Sequence, residues 1–429
     1  MVRGMATMKG MIWVFPVAEW GVVALFAWCA RDAWTAWRTR SKGSGESGDG
    51  DRGDGGREMG VLFSAALYAW LFENLNVRRG GGRGAYHYNE HFSLFIDQVP
   101  LFIMLAWAVI LWTAMRLTDA ASSAIARHEY SCGGMISNRA AWRDGVRRVA
   151  SDAALAVFLD ISFDATAIRY GFWFWHGVEF DQAWFGVPAG NFFGWLLVSL
   201  CFSGLTRALS SLFTPHVVQR RIAAPGFSAH GFATRVLRLE NFTACAKAAH
   251  FLMQITLVPI VAFALYRSLE SAVNFFLLRV GATSDRASLL AFFAVFCIIV
   301  LAARAPRFKI YRLPDEIAGD SNHEIKVDNA TGANATGANA TGANAANASS
   351  TSTRGGISRA WDFARRLMHG DIVFWVRSSF HAFAVVGLLM LPSTPLLATQ
   401  RPALLGIAGL VCVLDGLSGW WLGRVNRQA

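Results

Sequence analysis

Charged side chains are scarce in this sequence: Asp, Glu, Lys and Arg together make up 16% of its 429 residues. A soluble protein carries about 25% charged residues, whereas 54% of this chain is hydrophobic. Several apolar runs reach the roughly 20 residues that a helix needs to cross a bilayer. The composition therefore predicts an integral membrane protein that crosses the membrane several times as helices.

Cysteine is also sparse, and its spacing argues against two kinds of site. The six cysteines include no CxxC pair, so neither a disulfide framework nor a zinc site is indicated. The net charge is +11, but we find no soluble domain with a basic face, which argues against nucleic acid as a partner. We attribute the excess of Lys and Arg to loops that flank membrane spans.

The positions of Lys and Arg predict the orientation of the spans. Basic residues concentrate in the loops after the first, third, fifth and seventh spans, as the positive-inside rule requires of cytoplasmic loops. The exception is the loop after the second span, where Arg78, Arg79 and Arg83 lie on the predicted outer side. The pattern predicts an all-α transmembrane bundle of about nine spans, with the N-terminus outside and the C-terminus in the cytoplasm. The predicted spans are 11–30, 59–75, 99–118, 153–172, 189–212, 246–266, 287–304, 372–392 and 403–423.

Two segments have compositions typical of flexible linkers. The first is rich in Gly, Ser and charge, and the second contains a repeat of Asn, Ala, Thr and Gly. They divide the chain into five parts. These are an N-terminal span (1–40), a linker (41–58), a transmembrane core (59–305), a loop with the repeat (306–371) and a C-terminal pair of spans (372–429).

Two aspartates lie within the fourth predicted span, where ionisable residues are costly and are candidates for function. Asp160 and Asp164 are four residues apart, so both project from one face of a helix. Two carboxyl groups at that distance in a low dielectric do not readily ionise together, which leaves a protonated acid beside a carboxylate. Such a pair can act as a general acid. The alternative is a helix-packing pair that is satisfied by Arg169 or by hydroxyl groups.

A third acid lies where the second span reaches the predicted outer surface. Glu73 ends that span, and Tyr86, His87 and Tyr88 follow after a glycine-rich segment. A single histidine such as His87 is often an interfacial residue without a catalytic role. Beside a buried acid it becomes a candidate for the site.

The segment GFWFWHGVEFDQAWFGVPAGNFFGW combines dense aromatic residues with turn residues. Gly186 and Pro188 predict a turn at the outer surface, after which Asn191 enters the fifth span. This placement brings Asn191 to the level of Glu73 and His87. The tryptophans predict either an interfacial aromatic belt or the lining of a slot for a long flat polyene: Trp173, Trp175, Trp184 and Trp195.

Further charges lie in the last two predicted spans. Arg377 and His381 share one face of the eighth span, and Asp415 in the ninth span could pair with either. We interpret these residues as a buried ionic staple between two adjacent helices.

Two blocks of the sequence, FENLNV…GAYHYNEHFSLFIDQVPLFIMLAW and LDISFDATAIRYGFWFWHG…FDQAWFGVPAGNFFGW, resemble the carotenoid biosynthesis protein family. That family includes the bisanhydrobacterioruberin and gamma-carotene hydratases. The resemblance covers residues 60–200 well and 201–305 more loosely, and Ala165 departs from it where the family has proline. The matching residues are Glu73, Tyr86, Tyr88, Val99 to Leu101, Ala106, Trp107, Asp160, Asp164, Gly171, Trp173, Trp175, Gly186 to Pro188, Asn191, Phe192, Gly194 and Trp195.

The resemblance implies a hydratase, a lyase that adds water to the terminal isopropylidene double bond of an acyclic carotenoid without a metal or an organic cofactor. A protonated carboxyl would donate to the alkene, and water would attack the resulting tertiary carbocation. The candidate catalytic residues are Asp160, Asp164 and Glu73, and the partners are membrane lipid and a carotenoid or other polyisoprenoid. The candidate substrate-binding residues are Tyr86, His87, Tyr88, Trp173, Trp175, Asn191 and Trp195.

Two other functions remain as alternatives. Asp160 and Asp164 also fit the DxxxD motif of intramembrane prenyltransferases, which need a second aspartate cluster facing the first. Asp119, Asp144 and Asp152 are scattered along the chain, which argues against that class. A non-catalytic transporter or assembly subunit could use the acidic pair as a proton relay, but we find no internal repeat of the kind common in transporters.

Overall fold

A computed structural model describes residues 12–42, 55–79, 85–131, 138–178, 183–212, 232–281, 284–304 and 372–428. In these ranges the chain is a bundle of α-helices, which confirms the predicted fold class. The helices are α1 (Val14–Lys42), α2 (Gly55–Arg78), α3 (Leu101–Ser131), α4 (Asn138–Ala167), α5 (Ala189–Leu212), α6 (Phe232–Arg279), α7 (Asp285–Arg304), α8 (Ile372–Met390) and α9 (Pro395–Gln428).

Each predicted span corresponds to one of these helices, and six of them are long and apolar enough to cross a membrane: α1, α3, α5, α6, α8 and α9. The chain is therefore a membrane protein. The number of nine crossings and the orientation of the termini stay predictions.

Helix α4, which carries Asp160 and Asp164, occupies the centre of the bundle, in contact with α3, α5, α7, α8 and α9. Its core-facing positions include the small residues Ala153, Ala156 and Ala165, all fully buried. Small side chains let helix backbones approach closely in a membrane. This explains how a helix with several aspartates lies among apolar neighbours instead of facing lipid.

The C-terminal pair α8–α9 packs directly on α4, although the sequence suggested a separate pair of spans. The Tyr170 hydroxyl donates to the Gly387 carbonyl at 2.8 Å, and Arg169 Nη2 donates to Gln400 Oε1 at 2.6 Å. A Cβ atom on Gly387 would lie 3.1 Å from both Thr166 and Tyr170. The glycine therefore permits a close approach that a larger residue would prevent.

The ionic staple between α8 and α9 is confirmed. Arg377 donates to both carboxylate oxygens of Asp415, and His381 Nε2 lies 3.0 Å from Asp415 Oδ2. All three side chains are buried. Arg377 also donates to the Leu155 carbonyl of α4 at 2.9 Å, so the staple joins three helices.

Two short antiparallel strand pairs, which the sequence did not predict, lie between the helices. Strand β1 (Tyr86–Tyr88) pairs with β4 (Trp173–Trp175), and β2 (Phe95–Ile96) pairs with β3 (Val99–Pro100). In the first pair Tyr86 is opposite Trp175 and Tyr88 is opposite Trp173. Since alternate residues of a strand share a face, the two tyrosines and the two tryptophans line one side of this pair.

The predicted turn before α5 is a tight hairpin turn. Trp184 and Val187 exchange two backbone hydrogen bonds of 2.9 Å. The intervening residues have positive φ, 49° for Phe185 and 92° for Gly186, as a type I′ turn requires. Pro188 follows, and helix α5 begins at Ala189.

Residues 43–54 of the predicted linker 41–58, and the whole of the predicted loop 306–371, lie outside the described residues. Helix α1 continues to Lys42 and α2 begins at Gly55. The helices thus extend into both ends of the range 41–58.

Candidate functional site

A single amide joins the two aspartates of α4. Nδ2 of Asn191, in the first turn of α5, donates to Asp160 Oδ2 at 3.1 Å and to Asp164 Oδ2 at 2.6 Å. Both carboxyl groups are buried. The shared amide donor shows that the two side chains lie next to each other on one face of α4.

Arg169, which the sequence suggested as an alternative partner of the two aspartates, makes hydrogen bonds to other groups. Arg169 donates to the carbonyl oxygens of Ala165 and Phe185 and to Gln400 Oε1. These bonds use the guanidinium to fix the end of α4 against α9 and the turn before α5. The hydrogen bonds of the aspartates come instead from Asn191.

Glu73, near the end of α2, accepts three hydrogen bonds. The donors are the hydroxyls of Tyr86 and Tyr88 and Nε1 of Trp107, the last two at 2.7 and 2.8 Å. Strand β1 supplies the tyrosines and α3 supplies the tryptophan. In all three bonds the Glu73 carboxyl group is the acceptor.

The two tyrosines remain protonated donors over the physiological pH range. Burial, and next the charge of Glu73, raises the pKa of Tyr86 and of Tyr88 well above the usual value. A raised phenol pKa keeps the hydroxyl hydrogen in place for the bond to Glu73.

The acids meet at two adjoining cavities of about 660 Å³ and about 40 Å³. Asp164 borders the small cavity, whereas Asp160 lies behind it, fully buried against Asn191. The ring centroids of Trp107 and Trp195 lie 3.9 Å apart, with the two ring planes tilted by 33°. The residues that border both cavities are Glu73, Tyr86, Trp107, Trp175, Asn191 and Trp195.

Of the ten predicted site residues, all but Asp160 and His87 border one or both cavities. Tyr88 and Trp173 border the small cavity with Asp164, while Asp160 touches the site through Asn191. His87 borders neither cavity. It is exposed, and its Nδ1 lies 2.9 Å from Nε2 of His176.

The position of His87 in strand β1 explains why its side chain lies outside the cavities. Alternate residues of a strand point to opposite faces, so Tyr86 and Tyr88 face the site and the histidine between them faces away. Partial burial, and next the neighbouring His176, lowers the pKa of His87. Its predicted role in substrate binding has no support in this geometry.

The sequence predicted that the tryptophans form either an interfacial belt or the lining of a slot, and they do not all occupy the same kind of position. Trp173, Trp175 and Trp195 border the cavities, as expected for a slot. Trp184 does not; its Nε1 donates to the Ile161 carbonyl at 3.1 Å and its ring packs on Phe293.

Sequence reasoning missed several residues of the cavity walls. Trp107 matched the family pattern but was not named as a site residue. Tyr266, Glu270 and Asn274 of α6, with Asn76 of α2, border the larger cavity. Their signal was present in the sequence as a four-residue spacing of polar residues in an apolar segment.

The view that Asp119, Asp144 and Asp152 are scattered was wrong. Arg207 donates to both Asp119 and Asp152, and Arg148 donates to both Asp119 and Asp144. Helices α3, α4 and α5 bring these residues together. Their oxygens are engaged by arginines, so they form an ionic network between helices, not the free carboxylate cluster that a magnesium–diphosphate site needs.

The family model described as "Carotenoid biosynthesis protein" matches residues 52–265. This range includes α2 to α5, both strand pairs and every residue of the acid pair and of the Glu73 cluster. No curated protein and no solved structure matches the chain.

Proposed function

Since this chain belongs through residues 52–265 to the carotenoid biosynthesis protein family, we propose that it is an intramembrane carotenoid hydratase. The reaction adds water to the terminal isopropylidene double bond of an acyclic carotenoid end group. The observation that supports this proposal is the placement of Asp164, Asn191 and Glu73 around one aromatic-walled cavity.

Asp164 is the proposed proton donor. It borders the small cavity, whereas Asp160 is fully buried and reaches the site only through Asn191 and Asp164. In the first step the O–H bond of the Asp164 carboxyl breaks and a C–H bond forms at the less substituted alkene carbon. The π electrons form that bond, which leaves a tertiary carbocation and an aspartate carboxylate.

Aromatic faces and acidic groups surround the position of this cation. Four tryptophans border the small cavity: Trp107, Trp173, Trp175 and Trp195. A ring face attracts a cation, an interaction that strengthens when water is excluded. The carboxylate left on α4 adds electrostatic stabilisation where the positive charge develops.

Water completes the reaction. A water molecule attacks the cation through an oxygen lone pair, and the resulting oxonium loses one proton. Glu73 or the Asp164 carboxylate accepts that proton, and transfer back to Asp164 closes the cycle. The small cavity of about 40 Å³ is large enough for a water molecule, which needs two to four polar partners. Asn191, Glu73 and Asp164 offer such partners.

The proposal is tested by producing the protein in a host that accumulates an acyclic carotenoid. We expect a more polar pigment whose mass equals substrate plus water, and we expect the Asp164→Asn variant to produce much less. An unchanged pigment, with the wild-type protein present in the membrane, would overturn the proposal.

A further inference from the structure

Helix α6 carries a stripe of polar side chains that border the larger cavity. Tyr266, Glu270 and Asn274 recur at four-residue spacing and all border the larger cavity, as residues on one helix face do. The large apolar side chains exposed on this part of α6, as expected of a surface that faces lipid, are Leu265, Leu269, Phe275 and Phe276. The small polar residues Ser268 and Ser271 are exposed beside them.

The stripe is limited to the end of α6 near Arg279. The two preceding positions of the same face, Val258 and Ala262, are buried and apolar. Four residues before Val258, the side chain of Gln254 is polar, but it donates to Ser64 of α2 and Thr206 of α5. The polar lining therefore begins at Tyr266 and continues in one direction only.

A second polar row on α2 connects this stripe to the acids. Asn76 is three residues after Glu73, so the two side chains lie on one face of the helix. Asn76 Nδ2 donates to the Tyr266 hydroxyl at 3.4 Å, and that hydroxyl donates to Glu270 Oε1 at 3.3 Å. Both distances are at the long end for hydrogen bonds.

The larger cavity reaches the ends of the same helices. It is bordered by Arg79 just beyond the end of α2, by Leu278 near the end of α6, and by Asp285 at the start of α7. These positions lie at the predicted outer surface. The cavity thus extends from Glu73 and Asn191 to the level where the helices leave the membrane.

We propose that the polar face formed by Asn76, Tyr266, Glu270 and Asn274 is the route by which water enters the site from the membrane surface. The inference rests on the proposed function, because hydration consumes one water per turnover and a carotenoid in lipid brings none. Polar side chains within a membrane are tolerated where they line a water-filled cavity. A continuous polar run that ends beside Glu73 fits this use.

Water access is tested without reference to activity by cysteine labelling. Asn274→Cys places a thiol on the polar face, and Phe275→Cys places one at the same depth facing lipid. A charged methanethiosulfonate reagent should modify the first and not the second, because the reaction needs an ionised thiol in water. Mass spectrometry separates these sites from the native cysteines. Protection of Asn274→Cys equal to that of Phe275→Cys would overturn the proposal.

Kinetics then distinguish a water route from a subsite for the carotenoid. We expect Tyr266→Phe and Asn76→Leu to lower kcat several-fold with an unchanged KM for the carotenoid. The loss should grow when an osmolyte lowers the water activity, more steeply than in the wild type. A raised KM with an unchanged kcat would instead show that this face binds substrate and would contradict the route. Absence of hydrated product from the wild type would reject the proposed function, while the labelling result would still decide the route.

Discussion

The side-chain nitrogen of Asn191 lies 2.6 Å from Oδ2 of Asp164 and 3.1 Å from Oδ2 of Asp160. An amide N–H group can only donate, so Asn191 orients both carboxyl groups through its one side-chain nitrogen. The turn at Phe185 and Gly186 sets where α5 begins and hence where this amide meets α4. The turn and the acid pair therefore form one structural unit.

Replacement of the amide tests this unit. Asn191→Leu has a similar volume but no donor, so we expect hydration to fall by about a hundredfold, the loss typical of a misplaced catalytic group. Rates of product formation in membranes with matched protein content provide the measurement. Gly204→Ala on the same helix is the control, because its Cβ would meet only Val149 at 3.8 Å. Equal activity in the Asn191 variant and the control would contradict a positioning role.

The two aspartates should differ in importance. Asp164→Asn removes the proposed proton donor at the cavity, and general acid catalysis typically contributes about a hundredfold to ten-thousandfold in rate. Asp160→Asn keeps a polar partner for Asn191 and should cause a smaller loss. Product formation by each variant at equal protein level measures the ranking. The reverse order would assign the proton to Asp160.

The sequence predicted the parts of this site that depend on local spacing. Four residues separate Asp160 from Asp164, and helical geometry places them on one face whatever the rest of the chain does. Gly186 and Pro188 likewise predicted a turn before Asn191. The Arg377–Asp415 staple followed from the cost of a charge in a membrane.

The remaining features depend on contacts between distant segments. The donors to Glu73 include Trp107, which reaches it only because α2 packs on α3. The sequence placed His87 in the site, but the pairing of β1 with β4 decides which face of the strand borders the cavity. Asp119 and Asp152 meet at Arg207, a residue 88 positions beyond the first of them. The spacing of residues within one segment does not predict contacts between segments that are distant in the sequence.

The hydrogen bonds to Glu73 should stabilise the bundle. Tyr88→Phe removes one donor to a buried acceptor, and we expect a loss of about 1–3 kcal/mol in the free energy of unfolding. Thermal unfolding in detergent provides the measurement. In a Glu73→Met background the same change should cost less, because no carboxyl group remains to accept the bond. An equal loss in both backgrounds would show that the Tyr88 hydroxyl acts elsewhere.

The close approach of α8 to α4 predicts a position that cannot accept a larger residue. Gly387→Val would press on Thr166 and Tyr170, which already lie 3.1 Å from an added Cβ atom. Overpacking of this kind costs typically about 1–3 kcal/mol, and a shift of α4 should also lower hydration. Gly406→Val on α9 is the matched control, since nothing lies within 4 Å of its Cβ position. Similar unfolding temperatures and activities for both variants would contradict the role of the contact.

The His87–His176 pair predicts a pH dependence of stability. The pKa of His87 is lowered by partial burial and next by His176, against the opposing effect of Glu90. The unfolded chain therefore takes up this proton first as the pH falls, so stability decreases below a pH of about 6.5 and continues to fall through the lowered pKa. His87→Gln should weaken this dependence while leaving activity near neutral pH unchanged. Unfolding temperatures above and below that pH measure the effect, and identical profiles would contradict it.

The central claim is that the acid pair adds the elements of water to a carotenoid double bond. The direct measurement is product formation in membranes suspended in heavy-oxygen water, with mass spectrometry of the new hydroxyl group. The account predicts that the wild-type product carries oxygen from the water and that Asp164→Asn forms almost none. A hydroxyl oxygen that derives from dioxygen, or full labelled product from Asp164→Asn, would contradict it.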